Sequence, residues 1–212
     1  MISTMGIAER KRKEKQARID LIKKSASFVF QKKGFEATKM EDIADRAEIS
    51  KATIYQYFKS KNDLFYDIMQ ERLTNLNRAF AEICARQEDP ETTMMLISDR
   101  MLDFSIEESD IYHLVTSLKI TDIKKLLSPD KAGHLREIMA SNLRQVERVI
   151  QGGIDNGVFR RIDAKVGAII FWNMFMGIIQ FQENRLDVGK KDYRKSTLEA
   201  ANELVMAGLK MK

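Results

Sequence analysis

Apolar residues recur at intervals of three and four along most of this 212-residue chain, and only two prolines interrupt the pattern. That spacing is the period of an α-helix with one buried stripe. Ile19, Ile22, Ala26, Val29 and Phe30 form the first such stripe, and Leu135, Ile138, Met139, Leu143, Val146, Ile150 and Ile154 form the most regular one. Ten glycines and two prolines are too few for the many tight turns of an all-β chain. The spacing predicts an all-α fold of about nine helices, over residues 14–32, 40–47, 51–58, 61–86, 91–107, 110–127, 130–155, 164–185 and 191–210.

Cap signals set the boundaries. Gly34 stands where a left-handed C-terminal cap belongs, with Phe35 after it to pack back. Thr38-Lys39-Met40-Glu41 has the form of a capping box, Thr38 being the N-cap and Glu41 the returning carboxylate. Ser50 is an N-cap for the third helix. Asp89-Pro90 and Ser128-Pro129 each place an acceptor before a proline at the first helical position. Asn156-Gly157 stops one helix, and Asp163 caps the next.

Charge divides the chain. Residues 1–61 hold 15 Lys and Arg against 8 Asp and Glu, a net +7, while the remainder holds 21 against 23. A basic excess at one end points to a polyanion there, nucleic acid or an anionic membrane surface. With 44% apolar and 32% charged residues the chain is globular. One cysteine excludes an internal disulfide and a Cys-rich zinc site, and two histidines leave too few ligands for an all-His metal site. No phosphate loop, Gly-x-Ser-x-Gly or His-Glu-x-x-His occurs, so no cofactor, metal site or catalytic residue is expected. No apolar run reaches the roughly 18 residues of a membrane span, and no apolar signal core follows the basic N-terminus. The expected location is the cytoplasm. Residues 1–13 read as a flexible basic arm, 14–60 as a small basic domain and 61–212 as a larger helical one.

Residues 38–58 carry the function. Two short helices meet at Ala44, which is small enough for a close crossing, and Ile49 fills the corner. Ile54 and Phe58, four apart, plug the second helix onto the first. Lys51, Ala52, Thr53, Tyr55, Gln56 and Tyr57 are left largely outward, near a helix N-terminus whose free N–H groups attract phosphate. This is a helix-turn-helix, and its second helix has the size to enter a major groove.

The stretch GFEATKMEDIADRAEISKATIYQYFKSKNDLF resembles the DNA-binding domain of the tetracycline-repressor (TetR) family of transcriptional regulators. Gly34-Phe35, Thr38, Ile43-Ala44, Ser50-Lys51-Ala52-Thr53, Tyr55, Tyr57-Phe58 and Lys59-Ser60-Lys61 carry the match. The resemblance implies a three-helix DNA-binding domain followed by a helical ligand-binding and dimerisation domain. It implies that Ser50, Lys51, Ala52 and Thr53 lead the recognition helix into the groove. Thr53 and Gln56 would touch base edges, Gln bonding adenine and Thr meeting thymine. Thr38, Tyr55, Tyr57 and Lys61 would hold phosphates. The family commonly has glycine where this chain has Glu48, so Glu48 is expected in a left-handed conformation.

The helix over 164–185 is apolar nearly all round, which calls for cover on most sides. It and the last helix are expected to pack against their copies in a homodimer, whose two recognition helices would read a palindromic site on double-stranded DNA. Met101, Phe104, Tyr112, His113, Met139, Leu143, Trp172, Phe175 and Met176 are candidate walls of a pocket for a small hydrophobic effector, since Met and aromatic side chains suit an adaptable apolar cavity. Plain core packing explains the same residues. The leading reading is a ligand-responsive, homodimeric repressor that is not an enzyme and has no membrane partner. Two alternatives stay open: an all-helical enzyme using the apolar pocket, with His113 beside Asp110 or Glu107, and a membrane-surface protein held by its basic first helix.

Overall fold

A computed structural model describes residues 2–109, 112, 125–186 and 191–210. Its described elements are helices: α1 (Ile2–Lys33), α2 (Met40–Ala47), α3 (Lys51–Tyr55), α4 (Lys61–Cys84), α5 (Pro90–Glu107), α6 (Pro129–Asp155), α7 (Ala164–Leu186) and α8 (Arg194–Leu209). The fold is all-α. Of the expected helix over 110–127, only residues 112 and 125–127 lie among the described residues.

α1 begins twelve residues earlier than the spacing predicts. The flexible arm expected over 1–13 is, from residue 2 onward, the start of this helix. Ala8 to Ala17 are almost all strong helix formers, and Glu9–Lys13 (3.1 Å) and Arg10–Glu14 (2.8 Å) are ion pairs one turn apart. Helix propensity thus extends α1 with no apolar stripe to announce it.

The chain forms two compact units, residues 1–72 with 110–133, and residues 73–109 with 134–212. The division falls inside α4, beyond the boundary expected at residue 61. The physical reason is the core of the first unit. The opening turns of α4 bury Leu64, Phe65 and Ile68. The Phe65 ring lies 4.8 Å from that of Phe35 and 6.4 Å from that of Phe30. Ile22, Ala26, Val29, Met40, Ile43, Ala44, Ile54 and Phe58 of α1 to α3 and the turn after α3 are also buried. Lys131 is ion-paired to Asp63 at 2.5 Å and lies over the Tyr66 ring, so the start of α6 belongs to this unit as well.

In the second unit α8 packs on α7 and α5. Asp89 caps α5 by accepting the Thr92 N–H at 3.0 Å, and Asp163 caps α7 by accepting the N–H groups of Lys165 and Val166. Phe80, Met94, Ile97, Val146, Ile150, Phe159, Phe171, Phe175 and Ile179 are buried. Phe159 needs Gly153: a Cβ there would stand 2.2 Å from the ring. Phe159 also pairs with Lys210 in a short antiparallel bridge, where the Arg160 N–H donates to the Leu209 carbonyl at 2.8 Å. Ser98 and Asn202 are fully buried and share a 2.8 Å hydrogen bond.

α7 is two-faced. Ala164, Ala168, Phe171, Phe175 and Ile179 are buried, while Val166, Ile169, Ile170 and Phe181 are exposed. Contrary to the sequence expectation, one stretch, Ala164–Gln182, is long and apolar enough to cross a membrane, with a mean hydropathy of 1.4. The polar residues Lys165, Asn173 and Gln180 are spread through it, so counting uninterrupted apolar runs passes over it. Its buried stripe is the pattern of a core helix.

Candidate nucleic-acid interface

The helix-turn-helix is built by α2, the turn at residues 48–50, and α3. Ile43 and Ala44 on α2 and Ile54 on α3 are buried, as is Phe58 just beyond, so the two helices are held by the apolar side of each. Glu48 lies in the left-handed region at φ 54°, ψ 42°, as expected. That conformation returns the chain: the Glu48 N–H donates to the Asp45 carbonyl and the Ile49 N–H to the Ala44 carbonyl. Ser50 then caps α3, accepting the Thr53 N–H at 3.1 Å, and its hydroxyl also bonds that of Thr53 at 2.8 Å.

α3 is shorter than the expected 51–58. After Tyr55 the Gln56 and Tyr57 N–H groups donate to the carbonyls of Thr53 and Ile54, a tighter winding than an α-helix. This turn brings Phe58 into the core. Lys51, Ala52, Tyr55 and Gln56 are exposed, whereas Thr53 and Tyr57 are half-buried. Seven of the expected contact residues, Ser50 included, therefore share one short, capped segment.

Thr38 and Lys61, expected at phosphates, are both hydrogen-bonded within the chain. Thr38 is buried, its hydroxyl donates to the Gly34 carbonyl at 2.7 Å, and its N–H donates to Phe35 at 3.3 Å. The N-cap of α2 is Lys39, and Asp42 is the carboxylate that returns, accepting the Lys39 N–H at 2.9 Å. The capping box is shifted by one residue because Thr38 is committed to the corner after α1. The Lys61 ammonium donates to the carbonyls of Phe35 (2.6 Å), Thr38 (2.9 Å) and Glu36 (3.2 Å) and lies 4.4 Å from the Phe35 ring centre. Its three donors are occupied within the chain, so neither residue has a free donor for phosphate in this arrangement.

Sequence reasoning placed Glu41 in the cap of α2 and missed its pairing with Lys51. Its carboxylate accepts a hydrogen bond from the Lys51 ammonium, joining α2 to the start of α3. That bond holds the Glu41 carboxyl below the usual carboxylate range and raises the Lys51 ammonium. The pair is ten residues apart across a turn, and no periodicity within one helix announces such a contact. Lys51 also lies 5.8 Å from the Tyr55 ring centre.

The expected effector residues are scattered by burial. Met101, Phe104 and Phe175 are buried, and Met139, Leu143, Trp172 and Met176 are half-buried, all in the second unit. Tyr112 is buried and belongs to the first unit. His113 lies outside the described residues. Among the described residues, the clefts of the second unit include three. One of about 460 Å³ is lined by Cys84, Thr93, Gln145 and Arg148, one of about 520 Å³ by Asp99, Asp103, Arg194 and Glu199, and one of about 270 Å³ by Val166, Ile170, Val205 and Leu209. None of the three is lined by the nine expected residues. Among the described residues no group of three or more His, Cys, Asp or Glu gathers as a metal site.

The sequence profile of the bacterial regulatory proteins of the tetR family matches residues 22–68, which takes in α2, α3 and the core around them. Over residues 22–68 the chain is similar to the tetR family. That family consists of regulatory proteins and not of enzymes. The chain is 28% identical over 141 residues to the HTH-type transcriptional repressor NicS of Pseudomonas putida. It is 27% identical over 135 residues to the HTH-type transcriptional repressor KstR2 of Rhodococcus jostii. These alignments cover 66% and 64% of this chain but 65% and 64% of those relatives, just under two thirds of their length. The likeness of fold extends further than the profile. The transcriptional regulator FadR of Bacillus subtilis in complex with stearoyl-CoA superposes with a TM-score of 0.72 at 18% identity, over 89% of this chain and 97% of that one.

Proposed function

We propose that the protein is a homodimeric DNA-binding repressor of the cytoplasm that a small hydrophobic effector releases from a palindromic operator. One observation carries the reading: α3 is capped by Ser50 and anchored by Ile54, and it presents Lys51, Ala52, Tyr55 and Gln56 to solvent. A helix fixed on one side and polar on the other is the form that reads base edges in a major groove. Gln56 and Thr53 would specify bases, and Lys51, Tyr55 and Tyr57 would hold the backbone.

Dimerisation is supported by the apolar surface that α7 and α8 leave open. Ile170 is 56% exposed, Phe181 59% and Leu204 75%. Large apolar side chains grouped on adjoining helices call for a partner surface, and a second copy of the same face satisfies a two-fold axis. The effector reading draws support from the buried Met101, Phe104 and Phe175, with the half-buried Met139, Leu143, Trp172 and Met176 as adaptable wall. The acyl-CoA ligand of the superposed FadR favours a long apolar effector.

Selection of bound sequences from a random duplex pool tests the reading. A recovered palindrome with half-sites about one helical turn apart is the expected result. A pool that yields no enriched sequence at low ionic strength overturns it.

A further inference from the structure

We propose that Glu41 is a specificity-determining residue, a clamp that keeps the Lys51 ammonium from gripping phosphates in the wrong register. The proposal rests on the DNA-binding reading above and concerns the same face. Lys51 is the sole cation of α3 and stands at its first position. Its ammonium is hydrogen-bonded to Glu41, in the first turn of α2, and both side chains are about half exposed. The carboxylate that closes the end of α2 by accepting the Lys39 N–H is Asp42. The Glu41 carboxylate is bonded to its own backbone N–H and to Lys51.

The pairing has a consequence for DNA. Attraction to unrelated sequence comes almost wholly from cations meeting phosphates. A free lysine has a long flexible stem and reaches some phosphate in every register of the duplex. A lysine held by Glu41 presents its charge at one place and with a carboxylate beside it, so only the register that seats α3 in the groove satisfies it. Glu41 therefore weakens non-specific binding more than it weakens operator binding.

The experiment compares wild type, Glu41→Gln, Lys51→Ala and the double variant on the selected operator and on an unrelated duplex, across a salt series. Glu41→Gln is expected to bind the unrelated duplex several-fold more tightly, and its log K against log salt should steepen by about 0.9 per subunit. Operator affinity should rise less, which narrows the ratio between the two. On the Lys51→Ala background the Glu41→Gln effect should vanish. An unchanged ratio and slope in Glu41→Gln overturns the proposal, and so does an effect of equal size without Lys51, which would make Glu41 a bulk charge only. Wild type that does not distinguish the two duplexes overturns the DNA-binding reading itself. Circular dichroism of all four proteins confirms the helical fold.

Discussion

The Lys61 ammonium donates a 2.6 Å hydrogen bond to the carbonyl of Phe35 and covers that residue's ring. Two further carbonyls, of Glu36 and Thr38, share the same ammonium. Lys61 thereby ties the first turn of α4 to the corner between α1 and α2. Lys61→Met keeps much of the stem but removes the donor, so it should lower stability by about 1–3 kcal/mol in urea denaturation. The salt dependence of DNA binding should stay as in wild type. A slope reduced by about 0.9 per subunit with unaltered stability would return Lys61 to the role of a phosphate contact.

Glu48 occupies a left-handed conformation at φ 54°, which a side chain with a Cβ adopts at some cost. Glu48→Gly should raise stability by about 0.5–1 kcal/mol, less any loss from the freer unfolded chain. Thermal unfolding reads the change. Glu48→Ala keeps the Cβ and should give no such gain, so equal melting of the Gly and Ala variants counts against strain as the cause.

Asp63 gives the first unit a pH dependence. The hydrogen bond from Lys131 holds its carboxyl below the usual range, with Ser60 adding a second, against a smaller opposing effect of burial. A carboxyl depressed in the folded state stabilises above its unfolded value of about 4. That contribution is lost as pH falls through the folded value. Asp63→Asn should therefore melt below wild type at neutral pH, and the two curves should converge in acid. A difference that persists unchanged to pH 2 would exclude the ion pair as its source.

Ile170 and Leu204 are exposed apolar residues on α7 and α8. Replacing both with Glu should leave each subunit folded, since exposed substitutions shift stability by about 0.5 kcal/mol or less. Two buried like charges would, however, oppose a self-complementary interface. Sedimentation equilibrium should show a monomer where wild type is a dimer, and operator affinity should fall with it. A wild-type monomer, or a dimer unaffected by both changes, would remove α7 and α8 from the interface.

Much of this protein was legible from local chemistry. Gly34, Ser50, Asp89 and Asp163 act at short range, so their caps follow from the residues themselves, and the stripes of α4, α6 and α8 follow from their spacing. The left-handed Glu48 followed from the resemblance. At the N-terminus α1 continues through strong helix formers that no apolar stripe announces.

Local sequence decided which segments wind into helices and which sides of them are apolar, because caps and stripes depend on neighbours within four residues. Only the folded chain decided what Thr38, Lys61, Glu41 and Lys51 do. Thr38, Lys61 and Lys51 each have a charge or hydroxyl that suits phosphate, Glu41 has a carboxylate that does not, and the partner of each is set by which groups the packing of α1, α2, α3 and α4 brings within reach. Thr38 and Lys61 are consumed by the corner at Phe35, and Lys51 is held by a carboxylate from the preceding helix. Those assignments depend on distances between segments, which spacing along the chain does not specify.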